Sequence, residues 1–344
     1  MNELEVFSSW DKNCRVAIFT HSNPDPDAIG SAVGIQWLLK KKFGISSDIF
    51  YVGEISHPQN KTLINVLSII LKKSEEYKTE THKKVILVDC GPSYVGMDLK
   101  IDVIIDHHRI KINNDDYEYV NIQQLGSCCS LVYNLIESIE NGMFENEADE
   151  ESARFVATTM LIGIKTDTND LLSENTADMD HLAYQKLAKC ADMSKISAIL
   201  NYPLPKYLFD IESQALDEEN SKQINAALVS YIGIISAIKR DCLPILSDKF
   251  IRMEGITTAV VFSIIGDNIE VSVRSKDVTL DVDAFCKKVF GREFAGGKYG
   301  SGGAKIPLGF FSISQQQKEE IKEKIAETIK SIIMAKIEKE ITGN

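Results

Sequence analysis

The sequence predicts an α/β protein of two domains: an amino-terminal domain on a parallel sheet and a smaller α/β carboxy-terminal domain. Three observations carry this reading. The chain has 344 residues, and domains of about 100–200 residues make that two. Over the first half, short and nearly continuous apolar runs alternate with helical periodicity, as in a parallel sheet covered on both faces. The second half changes to strand-like runs joined by a tight-turn signal.

The elements follow in order. Arg15-Val-Ala-Ile-Phe-Thr20 is a short β-branched apolar run that stops at His21-Ser-Asn-Pro-Asp. Ala28 to Lys42 has helical periodicity and ends in three lysines, which suit a helix carboxyl terminus. Asp48 to Val52 reads as a strand, Asn60 to Lys73 as a helix, and Lys84 to Val88 as a strand ending at Asp89-Cys-Gly. Val103 to Ile105 is a strand ending at Asp106-His-His. Gly126 to Ile139, Glu151 to Ile164 and Asp178 to Ala191 read as helices. The prolines of Asn201-Tyr-Pro-Leu-Pro-Lys206 break the pattern, and Asp217 to Gln223 is polar. The domains are therefore expected at residues 1–195 and 226–344, with 196–225 connecting them. In the second, Ala227 to Ile234, Ile256 to Ile265 and Ile269 to Ser275 read as strands, the last two joined by Gly266-Asp-Asn268. Asp281 to Phe290 reads as a helix, followed by the glycine cluster Ala295 to Ala304 and an amphipathic charged helix from Gln315 to Ile341.

Composition narrows the function. Hydrophobic residues at 44% and charged residues at 26% describe a folded chain and exclude a disordered or collagen-like one. A net charge of -12 argues against a grip on long duplex nucleic acid, which phosphate neutralisation drives. The acidic surplus leaves room for metal ligands and for a small phosphorylated substrate held by a few cations. The longest nearly uncharged stretch, Ala226 to Ile238, is shorter than the ~20 apolar residues of a membrane span. The first residues are acidic, unlike an export signal, so a cytoplasmic protein is expected. Seven cysteines without Cys-x-x-Cys spacing support neither a zinc knuckle nor a disulfide framework.

Chemistry gathers at the ends of the first-domain strands. His21, Asp25 and Asp27 follow one strand, Asp89 ends another, Asp106, His107 and His108 end a third, and Asp167 follows a helix. In open parallel sheets, ligands bind outside the carboxyl ends of the strands. Singly, each residue has a plain structural role: helix-capping acids at Asp25 and Asp27, a turn at Asp89, loop acids near Asp167. Together they suit a divalent metal pair, because closely placed aspartates repel one another without a cation. Asp25 and Asp27 flank a stiffening proline; in an extended loop, residues two apart point the same way, so one would serve each ion and Asp89 would bridge.

These residues resemble the DHH phosphoesterase family. His21-Ser-Asn-Pro-Asp-Pro-Asp-Ala-Ile-Gly-Ser31, Val88-Asp-Cys-Gly91, Asp106-His-His108 and Gly163-Ile-Lys-Thr-Asp-Thr168 are similar to its four motifs, in order. Val271-Ser-Val-Arg-Ser275 and the glycine cluster resemble the DHH-associated substrate-binding domain. The resemblance implies two divalent ions, Mn2+ foremost, with the active-site cleft between the domains. His21, Asp25 and Asp89 would hold one ion; Asp27, Asp89, His107 and Asp167 would hold the other. His108 would face the phosphate as hydrogen-bond donor or acid, and Asp106 would orient the histidines. Two metals about 3.5–4 Å apart clamp phosphate oxygens and activate a water for in-line attack.

Arg274 is expected as an anion fork, with Ser275, Gly297, Lys298, Ser301, Gly302 and Gly303 as further substrate contacts. Many relatives carry a histidine in their glycine cluster where this chain has Lys298, a point charge without an aromatic face. Tyr299 could stack on a base. The resulting expectation is a manganese-dependent phosphoesterase of the oligoribonuclease (nanoRNase) and pAp-phosphatase group. Its substrates would be short nucleotides such as pGpG, very short RNA, or 3'-phosphoadenosine 5'-phosphate, and a homodimer is compatible with this. Alternatives are an inorganic pyrophosphatase or exopolyphosphatase, a cyclic-dinucleotide phosphodiesterase, and a nucleotide-sensing protein without activity.

Overall fold

The computed structural model describes residues 2–95, 97–146, 150–298, 300–311 and 319–343. Tyr299, and residues 315–318 of the expected last helix, lie outside the described residues. The chain divides into two compact units, Met1–Pro203 and Leu204–Asn344.

The first unit runs α1 (Glu3–Ser9), β1 (Arg15–Phe19), α2 (Pro26–Leu38), β2 (Ser46–Tyr51), α3 (Pro58–Leu67), β3 (Lys72–Lys73), β4 (His82–Val88), β5 (Val103–Asp106), β6 (Tyr119–Ile122), α4 (Cys128–Ile139), α5 (Met143–Asn146), α6 (Glu151–Asp167), α7 (Asp178–Cys190) and α8 (Met193–Leu200). Its described strands form an all-parallel sheet in the order β3-β2-β1-β4-β5-β6. Both faces are covered. Val16, Ile18, Ile86 and Ile105 face one apolar cluster, and Ala17, Phe19, Leu87 and Ile104 face the other. That explains why the strands read as unbroken apolar runs. The strand order reverses between β1 and β4, so their carboxyl ends flank the crevice where such sheets bind ligands.

The helix α2 is buried all round rather than amphipathic. Its N-cap is Asp25, whose Oδ1 accepts the N–H groups of Asp27 and Ala28, with Pro26 at the first helical position. Gly163 lets α6 pass close by. A Cβ there would lie 2.6 Å from Cys129 Sγ and 2.9 Å from Asp27 Cα. Gly163→Ala is expected to cost roughly 1–3 kcal/mol, because backbone must shift. Chemical denaturation checks this, and an unchanged midpoint would refute it.

Several element ends differ from expectation. The helix expected to reach Lys42 ends at Leu38 and passes into a single wide turn, Leu39–Phe43, closed by Gly44 with a φ of 72°. The helix expected through Lys73 stops at Leu67, and Lys72–Lys73 joins the sheet edge. Residues 196–225, expected as a connection, carry regular structure: part of α8, then α9 (Lys206–Leu216) and β7 (Ser221–Ile224).

The second unit continues with β8 (Ala227–Ile235), α10 (Cys242–Phe250), β9 (Thr258–Ile265), β10 (Asn268–Ser275), α11 (Val282–Phe290), β11 (Ala295–Lys298), β12 (Ser301–Pro307) and α12 (Glu319–Thr342). The sheet order is β11-β12-β10-β9-β8-β7, with β8 and β9 parallel and the other pairs antiparallel. Ile269, Val271 and Val273 pack on α11 and α12; Ala259, Val261 and Ile265 pack on α9 and α10. The glycine cluster is largely the β11–β12 hairpin. No described helix is long and apolar enough to cross a membrane.

Candidate metal centre

The loops after β1, β4 and β5 and the last turn of α6 bring His21, Asp25, Asp27, Asp89, His107 and Asp167 together. Three groups of donors emerge, each with one ligand atom per residue and all atoms within 4.8 Å: His21, Asp25 and Asp89; Asp27, His107 and Asp167; and Asp89, His107 and His108. Asp89 joins them. Its Oδ2 lies 3.5 Å from His21 Nε2, while its Oδ1 lies 3.2 Å from His107 Nε2 and 3.6 Å from His108 Nδ1. His107 Nε2 is also 3.4 Å from Asp167 Oδ2 and 3.9 Å from Asp27 Oδ2. Asp89 sits at a φ of 57°. That left-handed turn, sparsely populated by non-glycine residues, directs its side chain from the strand end into the cluster.

His21 and His107 are both aimed by main-chain carbonyls. His21 Nδ1 donates to Ser22 O at 3.0 Å and His107 Nδ1 donates to Leu125 O at 2.9 Å. Each bond places the other nitrogen, Nε2, toward the acids, as metal-binding imidazoles require. Asp106 does not share this task. Its fully buried Oδ1 accepts from His108 Nδ1 at 2.9 Å and from His108 N at 3.1 Å. The expectation that Asp106 orients both histidines is thus corrected: it orients His108, and Leu125 orients His107.

Asp25 and Asp27 also depart from the expected extended pair. The turn of α2 separates them: Asp25 is the half-exposed N-cap and Asp27 is buried in the first turn. Asp27 in turn meets the start of α4. Its Oδ1 accepts from Ser127 Oγ at 2.5 Å and from Cys129 N at 3.0 Å, and its Oδ2 accepts from Cys128 N at 2.6 Å. Free N–H groups at a helix amino terminus favour a carboxylate. Nothing in the spacing of the sequence pointed to Ser127, Cys128 or Leu125. Asp167, expected beyond a helix, lies in the last turn of α6, ahead of three left-handed residues, Asn169, Asp170 and Leu171.

The donor set suits a cation. Asp89 Oδ1 is buried and no hydrogen bond of good geometry reaches it. Burial and the charges of Asp89 and Asp167 push Asp27 up to about 7. Burial opposes charge on His107, yet contact with Asp89 and the charges of Asp27, Asp89 and Asp167 push it up to about 10. Burial likewise opposes charge on His21, but Asp25 and Asp89 push it up to about 11. Enclosure disfavours ionised Asp25, but His21 and the N–H groups of Ala28 and Asp27 hold it at about 2. The cluster thus calls for positive charge, and two protons on histidines answer it. Cys128 and Cys129 add no thiolate: burial, then nearby carboxylates, push both thiols well up, and they donate to carbonyls. A nitrogen-and-oxygen donor set fits manganese among divalent ions.

In the second unit, Arg274, Ser301 and Lys298 lie in one register row across β10, β12 and β11. Arg274 Nε donates to Asp248 Oδ1 at 2.7 Å and Nη1 donates to Val273 O at 3.1 Å. Ser275 turns inward, with its Oγ 2.9 Å from Thr258 Oγ1. The N–H of Gly297 donates to Asp283 Oδ1 at 2.9 Å, so it is engaged within the fold rather than turned to a phosphate. Gly302 and Gly303 answer packing: a Cβ would lie 2.7 Å from Cys286 Sγ and 2.8 Å from Val271 O respectively.

Residues 15–164 match the sequence model of the DHH family, N-terminal domain. The chain is 33% identical over 329 residues to an uncharacterized protein of Methanocaldococcus jannaschii, covering 94% of this chain and 64% of that protein. It thus spans less than two thirds of that relative's length. It is 25% identical over 240 residues to a probable manganese-dependent inorganic pyrophosphatase of Streptococcus pyogenes, covering 66% of this chain and 74% of that protein. In fold it is similar to an exopolyphosphatase-related protein from Bacteroides fragilis, with a TM-score of 0.66 at 15% identity, covering 96% of this chain and 97% of that one.

Proposed function

Residues 15–164 match the DHH family's amino-terminal domain, and from that premise we propose that this protein is a manganese-dependent hydrolase of small phosphate esters. The observation that carries the reading is the sharing of Asp89 between two donor groups, one around His21 and one around His107. His21, Asp25 and Asp89 would hold one divalent ion, and Asp27, Asp89, His107 and Asp167 a second. Bound there, the ions would supply Lewis-acid stabilisation of the phosphoryl oxygens and activate the attacking water.

The protein's own groups do the rest. Asp106 holds the His108 ring through Nδ1, and this hydrogen bond raises the pKa of His108. His108 is half exposed and keeps Nε2 as its remaining donor, so it can give a hydrogen bond or a proton to the leaving oxygen. Asp106, buried behind it, is a positioning residue. Short nucleotides are the proposed substrates, since an acidic chain suits a small phosphorylated ligand better than a long strand. Within the second unit, the row Arg274, Ser301 and Lys298 is proposed as an anion-binding row, with Ser275 and the glycines 297, 302 and 303 shaping it.

A second reading is hydrolysis of pyrophosphate, and the relative from Streptococcus pyogenes favours it. One experiment decides: the purified protein with Mn2+ against pGpG, 3'-phosphoadenosine 5'-phosphate, longer RNA and pyrophosphate in parallel. Turnover of the short nucleotides, lost with a chelator and in His107→Ala, is the expected result. Turnover of pyrophosphate alone would replace the first reading by the second. Nucleotide binding without turnover of any of the four would refute both.

A further inference from the structure

His107 is aimed by a main-chain carbonyl, so whatever holds that carbonyl holds the metal ligand. Leu125 lies in the irregular turn between β6 and α4. This turn is tied down by a residue 54 positions away: Gly126 N–H donates to Asp180 Oδ2 at 2.8 Å. The same oxygen accepts the N–H of Ala177 at 2.8 Å, at the start of α7. Asp180 is fully buried, and its Oδ1 is buried without a hydrogen-bond partner. Among the described residues no cation pairs with it. A carboxyl group enclosed in this way is costly, and capping one helix does not require it.

The surroundings leave no slack. A Cβ on Gly126 would lie 2.9 Å from Asp180 Oδ2 and 2.7 Å from Thr168 Cγ2. Thr168 directly follows Asp167, and its Oγ1 accepts the N–H of Leu171 at 2.9 Å. Beyond Gly126, Ser127, Cys128 and Cys129 hold Asp27. The segment beside this carboxyl group therefore touches His107 through Leu125, Asp27 through residues 127–129, and Thr168, the neighbour of Asp167.

We propose that Asp180 is a positioning residue of the metal centre: by accepting the Gly126 and Ala177 N–H groups it fixes the Leu125 carbonyl that points His107 Nε2 at Asp27, Asp89 and Asp167. The inference rests on the metal-dependent reading of the centre. Asn at this position keeps an acceptor of the same shape, whereas Ala removes it.

The test is calorimetric titration of the metal-free protein with Mn2+, well below the melting temperature of each variant. Thr158→Ala serves as a stability control, because among the described residues Thr158 Oγ1 donates to Arg154 O within α6 and accepts the Asp192 N–H ahead of α8. Asp180→Ala is expected to weaken Mn2+ binding about 10–100-fold, the range for partners that orient a metal ligand. Asp180→Asn should restore most of it, and Thr158→Ala should lower the melting temperature with affinity unchanged. Unchanged affinity in Asp180→Ala, or an equal loss in Thr158→Ala, would overturn the proposal. Should Asp180→Ala not fold, Gly126→Ala wedges the same contact from the other side, and unchanged Mn2+ affinity there would overturn it equally. A wild-type protein that binds no Mn2+ would instead remove the metal-dependent reading, and this inference with it.

Discussion

Asp89→Asn is expected to reduce Mn2+-dependent hydrolysis by more than about 100-fold, beyond the usual cost of changing a partner outside the coordination sphere. The reason is that Asp89 presents one oxygen to His21 and the other to His107 and His108. Both donor groups lose their shared negative charge in a single substitution. Asn is the informative replacement because it keeps the size and, like Asp, tolerates the left-handed φ of 57° seen here. A folded, inactive variant is therefore the expected outcome, read from circular dichroism and from turnover of the best substrate. Activity within tenfold of wild type would show that the two donor groups do not act through Asp89.

The second large effect is a pH dependence that reverses when metal is added. Asp27 has its folded pKa raised from 3.8 to about 7, so its contribution is full below about pH 4 and is lost as pH rises through 7. His107 and His21 are raised from 6.5 to about 10 and about 11. Their contributions are full below about pH 6.5 and are lost as pH rises through those values. Asp25 has the opposite sign, but its pKa of about 2 confines its loss to strong acid. The metal-free protein should therefore melt at progressively lower temperature as pH rises above neutrality. Mn2+ must displace the same protons, so its binding strengthens with pH and adds stability by mass action. Scanning calorimetry at about pH 6 and about pH 9, with chelator or with Mn2+, reads both trends. A Mn2+-induced shift in melting temperature that shrinks at the higher pH would sink the assignment of His21 and His107 as ligands.

Much of the centre was legible in the chain, for a local reason. Strands buried on both faces must be apolar throughout, so the residues at which the apolar run stops mark the carboxyl ends of a parallel sheet. His21, Asp89 and Asp106-His-His108 stand at those stops, and the sheet order then places three loops beside one another. The misread elements also have local causes. The edge strand Lys72–Lys73 is two residues long and carries no apolar pattern. In β6, Tyr119–Ile122, every residue is only partly buried, so no apolar run announces it. The glycine cluster carried no strand signal because glycine removes the side-chain alternation by which strands are recognised; its strands form where α11 packs too closely for a Cβ.

By itself, the sequence determined the order of the main strands and helices of the first unit, short elements such as α1, β3 and β6 excepted, and the supply of acids and histidines at the strand ends. Local pattern suffices for these, because burial, helix capping and charge are written in neighbouring residues. Only the tertiary structure decided that Asp89 turns into the centre through a left-handed φ, that the α4 amino terminus holds Asp27, and that Leu125 rather than Asp106 directs His107. Each of these is a contact between residues far apart in the chain, or a turn of the backbone through a left-handed angle. Neither is carried by composition or spacing; both arise when packed helices and strands bring two loops to hydrogen-bonding distance.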